Sequence, residues 1–151
     1  MMTRPSTCEG CPAHATARGW VPPTGPSDAI MVLVGQGPGS DEATFGEPFI
    51  GPSGQTLDRW LVRAGVPREK VAIGNIVQCQ LPGNREPKPR EVQHCWRAHI
   101  RPWLNSLRNA RVVVPIGVPA MKALMGKDAT ASIAGTLQKA EVPWGEEPYQ
   151  L

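Results

Sequence analysis

The sequence predicts an α/β protein, a three-layer α/β/α sandwich around a small parallel sheet. Three apolar runs rich in β-branched residues, 30–34, 71–77 and 112–116, are nearly continuous rather than alternating. That is the pattern of parallel strands covered on both faces. Helical patterns lie between or after these runs, as strand–helix alternation requires. Pro 17 and Gly 16 make up over a fifth of the 151 residues but are spread along the chain, so they punctuate turns. The length fits one domain, 1–151, with residues 1–28 as a cysteine-containing N-terminal segment packing on it.

The elements follow in order. After the first strand comes a glycine-rich segment, 35–54. Ser53 then caps a helix carrying Leu57, Trp60, Leu61 and Ala64, which Gly65 ends. The second strand leads into a polar, proline-rich loop, 80–90. A second helix starts near Pro89 with Val92, Cys95, Trp96, Ile100 and Trp103 on its apolar side, and Pro102 should kink or shorten it. The third strand feeds a helix over 119–124 that stops at Gly126. Residues 131–151 contain no further strand–helix unit, so the chain is expected to be one such unit short of a full sheet.

No stretch approaches the roughly 20 apolar residues of a membrane span, and the opening MMTRPSTCEGC has no apolar signal core. A cytoplasmic monomer is expected. Net charge is +3, unevenly placed: residues 1–58 hold two basic and six acidic side chains, whereas 59–111 hold eleven basic and three acidic. Such a middle third suits a polyanion, although solvated helix faces would read the same way.

Four cysteines without a secretion signal point to a metal or redox site before disulfides. Cys8 and Cys11 form a C-x2-C pair, Cys79 ends the second strand, and Cys95 lies on the second helix. With only one such knuckle, the pattern leans from four-cysteine zinc toward an iron–sulfur cluster, and spacing alone leaves both open. In the segment 35–54, Gly35, Gly37 and Gly39 let backbone approach a planar or anionic group. GxxxxGK[ST] is absent and G-x-G-x-x-G is unsatisfied, which disfavours a nucleotide cofactor. Phe49 reads as a core aromatic or a stacking ring. Asn75, an amide inside an apolar strand, reads as a satisfied structural group or a base-reading one. His94 and His99 are expected on a helix surface.

GQGPGSDEATFGEPFIGPSG (35–54) resembles the GEAPGxxExxxGxPFVGxxG motif of the family 4 uracil-DNA glycosylases, the iron–sulfur branch of their superfamily. GNIVQC (74–79) is similar to that family's TNxVKC, PGNREPKPREVQHC (82–95) to its PPGNRxPxxxEVxxC, and 111–126 to its strand–helix segment. The resemblance implies a uracil-DNA glycosylase-like fold and hydrolysis of the N-glycosidic bond of uracil in DNA, for base-excision repair. It implies that Cys8, Cys11, Cys79 and Cys95 hold a [4Fe–4S] cluster. Phe49 would stack on the flipped uracil, Asn75 would bond its edge, and the backbone of Gln36 and Gly37 would meet its oxygen. Glu42 would position water or stabilise the sugar cation, and Ser53, Arg85 and Lys88 would meet DNA. Three departures stand out. Gln36 replaces a glutamate, Ala43 replaces an acid, and the family's His-Pro-Ser motif does not occur. A non-catalytic iron–sulfur DNA-binding protein is therefore the alternative.

Overall fold

A computed structural model of the chain describes residues 1–126 and Gly135. The three apolar runs form parallel strands β1 (Met31–Gly35), β2 (Val71–Asn75) and β3 (Val112–Pro115), in the order β2-β1-β3. Met31 of β1 is in register with Val71 on one side and Val112 on the other. β1 is central and β2 is one edge of the described sheet. Its outer side is covered by the N-terminal segment, where Thr24 and Ile73 exchange two backbone hydrogen bonds of 2.8 Å. β2 is buried throughout, but β3 is only partly covered among the described residues, with Val112 37% exposed. The reading of all three strands as buried on both faces therefore holds for β1 and β2 alone.

Side chains alternate across the strands. Val32, Val34 and Ala72 face one core, while Leu33, Val71 and Ile73 face another. Over the first face lie α3 (Pro89–Cys95), a π-turn (Trp96–Ile100), α4 (Arg101–Ser106) and α5 (Val118–Met125), burying Trp96, Ile100, Leu104 and Leu124. Over the second face α2 (Pro52–Arg63) lays Leu57 and Leu61. The predicted three layers are present. The expected shortfall over 131–151 lies outside the described residues.

Three local expectations change. Gly51 is the N-cap of α2 and Pro52 its first residue, so Ser53 sits inside the helix and caps nothing. The fixed φ of proline suits a first helical position, which moves the boundary forward. Pro102 does not end its helix, since Ile100 and Arg101 keep helical dihedrals and α4 runs on to Ser106. A proline clashes with the carbonyl four residues back, and the wider i→i+5 winding of the preceding π-turn accommodates it. Finally, a short helix α1 (Ser40–Phe45) forms inside the glycine-rich segment, where its six residues give no readable apolar period.

Gly74 is required by packing. A Cβ built there would lie 2.9 Å from both the Trp103 ring and Pro23. Gly74→Val should lower the urea unfolding free energy by about 1–3 kcal/mol, the usual cost of overpacking a filled core.

Candidate functional site

The carboxyl ends of β1 and β2 open into a pocket of about 540 Å³. Strand ends are where α/β sheets bind ligands, because the loops diverge there and leave backbone groups unpaired. Of the residues singled out from the sequence, Gln36, Gly37, Glu42, Phe49, Ser53, Asn75 and Arg85 all line this pocket, as does Cys79. Lys88 does not. It is exposed at the start of α3, and its backbone N–H donates to Glu91 Oε2 at 2.7 Å.

Glu42 is the most constrained of these side chains. It is only 7% exposed. Its Oε2 accepts the Gly39 N–H at 3.0 Å, and its Oε1 accepts the N–H groups of Ile50 and Gly51 at 3.1 and 2.9 Å. One carboxylate therefore ties the two arms of the glycine-rich segment together. Such charge-assisted bonds are what make a buried carboxylate tolerable.

Phe49 has φ 56, the left-handed region that a bulky residue adopts only when its surroundings insist. Arg68 donates to the carbonyls of Pro48 and Phe49, each at 2.9 Å, and also pairs with Asp58. Gly54 allows α2 to pass directly beneath, since a Cβ there would lie 1.8 Å from the Phe49 carbonyl oxygen. At Gly35 a Cβ would lie 2.4 Å from the Phe49 ring and 2.5 Å from Asn75 Oδ1. The ring and the amide thus converge over a bare stretch of backbone.

Asn75 is 2% exposed, and its backbone carbonyl accepts from Gln78 Nε2 at 2.9 Å. Among the described residues its side-chain amide has no hydrogen-bond partner, nor do the backbone N–H groups of Gln36 and Gly37. A buried amide and two amide donors left unpaired beside a cavity are groups arranged for a ligand.

Arg85 is held from behind. Its guanidinium makes a bidentate pair with Glu91 at 2.7 and 2.9 Å, and Gln36 Nε2 reaches its carbonyl at 3.5 Å. The hydrogen bond from Arg85 holds the Glu91 carboxyl below the usual range, with the Lys88 N–H adding to it and burial opposing it.

All four cysteines line a second, smaller cavity of about 20 Å³, together with Arg4, His94 and Glu91. Cys79 lines both cavities. Burial is the main reason the Cys79 thiol is pushed up to about 11, with Cys8 adding to it and Arg4 opposing it. Burial likewise raises Cys95 to about 12, against a hydrogen bond from the Gln78 backbone. Cys8 is raised by burial and then by Cys11. Among the described residues, no three His, Cys, Asp or Glu side chains are drawn together tightly enough for a single ion.

His94 and His99 are not on a free helix surface. The Nε2 of His94 lies 2.9 Å from the Thr7 carbonyl, and that of His99 lies 3.4 Å from Cys8 Sγ. Burial, then the neighbouring His94, lowers the His99 pKa. Sequence reasoning missed Arg68, Glu91 and these two histidines as site supports. Only Glu91 left a readable signal, an acid in the first turn after Pro89.

The fold and site define an α/β protein with a ligand-sized pocket at its strand ends, lined by an aromatic ring, an unpartnered amide and unpaired backbone donors. The chain belongs to the uracil DNA glycosylase superfamily, whose family model matches residues 22–146. It is 40% identical over 111 residues to the Type-4 uracil-DNA glycosylase of Archaeoglobus fulgidus, covering 74% of this chain and 55% of that protein. The Type-4 enzymes of Pyrobaculum aerophilum and Thermotoga maritima are 37% and 36% identical over 118 residues, 78% of this chain. The chain spans 55–60% of the length of these relatives.

Two outcomes follow. Gly54→Ala should cost about 1–3 kcal/mol or more in urea titration, because its neighbour is backbone and cannot swing away. Since the folded Glu91 pKa is depressed, its pair stabilises above the ordinary glutamate value of about 4.3 and is lost as pH falls through the lower folded value. Glu91→Gln should lower the unfolding midpoint at neutral pH and flatten its fall over that acid window, read as midpoint against pH.

Proposed function

We propose that this chain carries the uracil-recognising core of a DNA repair glycosylase that hydrolyses the N-glycosidic bond of deoxyuridine in DNA. The observation that carries this is the convergence of the Phe49 ring, the unpartnered Asn75 amide and the unpaired Gln36 and Gly37 N–H groups on one pocket. A base inside a duplex is beyond reach of such a pocket, so the nucleotide must leave the stack before it is read. Phe49 then stacks on the ring, and Asn75 offers both a donor and an acceptor to the base edge.

As the bond between C1′ and N1 breaks, its electron pair goes to the base and positive charge develops on the sugar. The Gln36 and Gly37 N–H groups face the uracil oxygen that takes up the negative charge, and fixed donors of this kind are worth about 2.7–4 kcal/mol each. Water supplies hydroxide to C1′ and a proton to the departing base. Glu42, committed to three backbone amides, holds these donors in place and sets a fixed negative charge at the pocket wall beside the sugar. Replacement of the family's glutamate by Gln36 leaves the backbone donors untouched. Ser53 and the start of α2 meet the DNA strand at the rim, with Lys88 farther out, while Arg85 shapes the wall through its pair with Glu91. The site of action is the cytoplasm, on chromosomal DNA, with the protein as a monomer.

The four thiols fit an iron–sulfur cluster. They surround one cavity, and His99 Nε2 lies 3.4 Å from Cys8 Sγ beside it. When bound, a [4Fe–4S] cluster supplies a cross-link among the N-terminal turn, the end of β2 and α3. Cys79, which also lines the base pocket, is fixed by it.

The test is uracil release from a uracil-containing oligonucleotide. Release by the wild-type chain is expected, with Asn75→Ala slower by about 100-fold or more, the scale of losing one transition-state donor. Wild-type protein that binds the oligonucleotide but frees no uracil would leave only a binding role.

A further inference from the structure

We propose that His99 is a positioning residue for the Cys8 ligand: its Nε2–H donates a hydrogen bond to Cys8 Sγ, and the π-turn exists to bring it there. The inference rests on reading the four cysteines as cluster ligands. His99 Nε2 stands 3.4 Å from Cys8 Sγ, across 91 residues of sequence. A ligating thiolate is only an acceptor, so the nitrogen facing it carries the hydrogen. The other side of the ring is fixed by Trp20, which meets it edge to face at 4.6 Å and 64°.

The helix geometry explains how the contact arises. His94 grips the preceding residue of the same turn through the Thr7 carbonyl at 2.9 Å. Positions five apart on an α-helix lie roughly 140° apart around the axis, given 3.6 residues per turn. One of these rings would then point away from the cysteine turn. The π-turn at Trp96–Ile100 follows an i→i+5 pattern, whose wider winding narrows the angle between positions 94 and 99. Both rings therefore reach the turn Ser6–Cys8. A single extra residue in the winding makes a two-point clamp from one helix face.

Hydrogen bonds to cluster sulfurs stabilise the more negatively charged, reduced state, and partners beyond the ligands orient the ligands themselves. The donor should accordingly raise the reduction potential and slow ligand release at Cys8.

The experiment compares anaerobically prepared, iron-loaded wild type, His99→Phe, His99→Gln and His94→Phe. Readouts are the cluster's midpoint potential in a dye-mediated titration and its rate of visible bleaching with an iron chelator. His99→Phe keeps a ring against Trp20 but loses the donor. It should shift the potential negative and bleach severalfold faster, with far-ultraviolet dichroism unchanged. His99→Gln restores an N–H and should fall nearer wild type, which keeps the test valid if His99→Phe folds poorly. His94→Phe loses only the backbone contact, so it should bleach faster with no shift in potential. Iron-loaded His99→Phe and His99→Gln with wild-type potential and bleaching would overturn the assignment alone. Wild-type protein that takes up no iron would overturn the cluster reading beneath it.

Discussion

A single buried carboxylate holds the pocket in shape. Glu42 accepts backbone N–H groups from Gly39 and from Gly51, which are the N-cap residues of α1 and α2. Both helices therefore start from one side chain. A charge at this depth persists only with such donors around it. The segment between them, which carries Phe49, has little freedom left. Arg68 fixes its carbonyls from the other side, so the left-handed backbone at Phe49 is held by contacts on two flanks. Strain of this kind costs of order 1–3 kcal/mol and survives only where the surroundings over-determine it.

The two cavities are built as neighbours. Cys79 faces both, and the Arg85–Glu91 pair spans the wall between them, with Arg85 on the pocket and Glu91 on the cysteine side. The loop that closes the pocket is thus anchored to the helix that carries Cys95. The basic middle third is correspondingly less free than its charge suggests. Arg68 and Arg85 are internal ties, and Arg63 lies over the Trp60 ring at 5.4 Å.

Much of this was legible in the sequence. Continuous apolar runs located all three strands, and the resemblance located the pocket's Gln36, Gly37, Glu42, Phe49 and Asn75 together with the four cysteines. What stayed hidden depends on distance along the chain. Arg68 acts on carbonyls 19 and 20 residues away, and His99 on a cysteine 91 residues away, so neither leaves a local pattern. The π-turn was invisible because one extra residue in a helix barely changes its apolar period. The resemblance suggested a chemical role for Glu42, whereas its threefold backbone role is visible only in the fold. Ser53 illustrates the opposite error: a good capping residue was overruled by the proline before it.

The N-terminal segment has a consequence for how this sheet can grow. Thr24 occupies both outward hydrogen-bonding groups of Ile73, and at Gly25 a Cβ would lie 2.4 Å from the Val71 carbonyl oxygen. That close approach seals the outer margin of β2 against another strand, including one from a second molecule. Unsealed strand margins invite sticking between chains. Among the described residues the sheet therefore has a closed margin at β2, while its other margin is β3. The closed side is sewn shut by the same stretch of chain that presents Cys8 and Cys11.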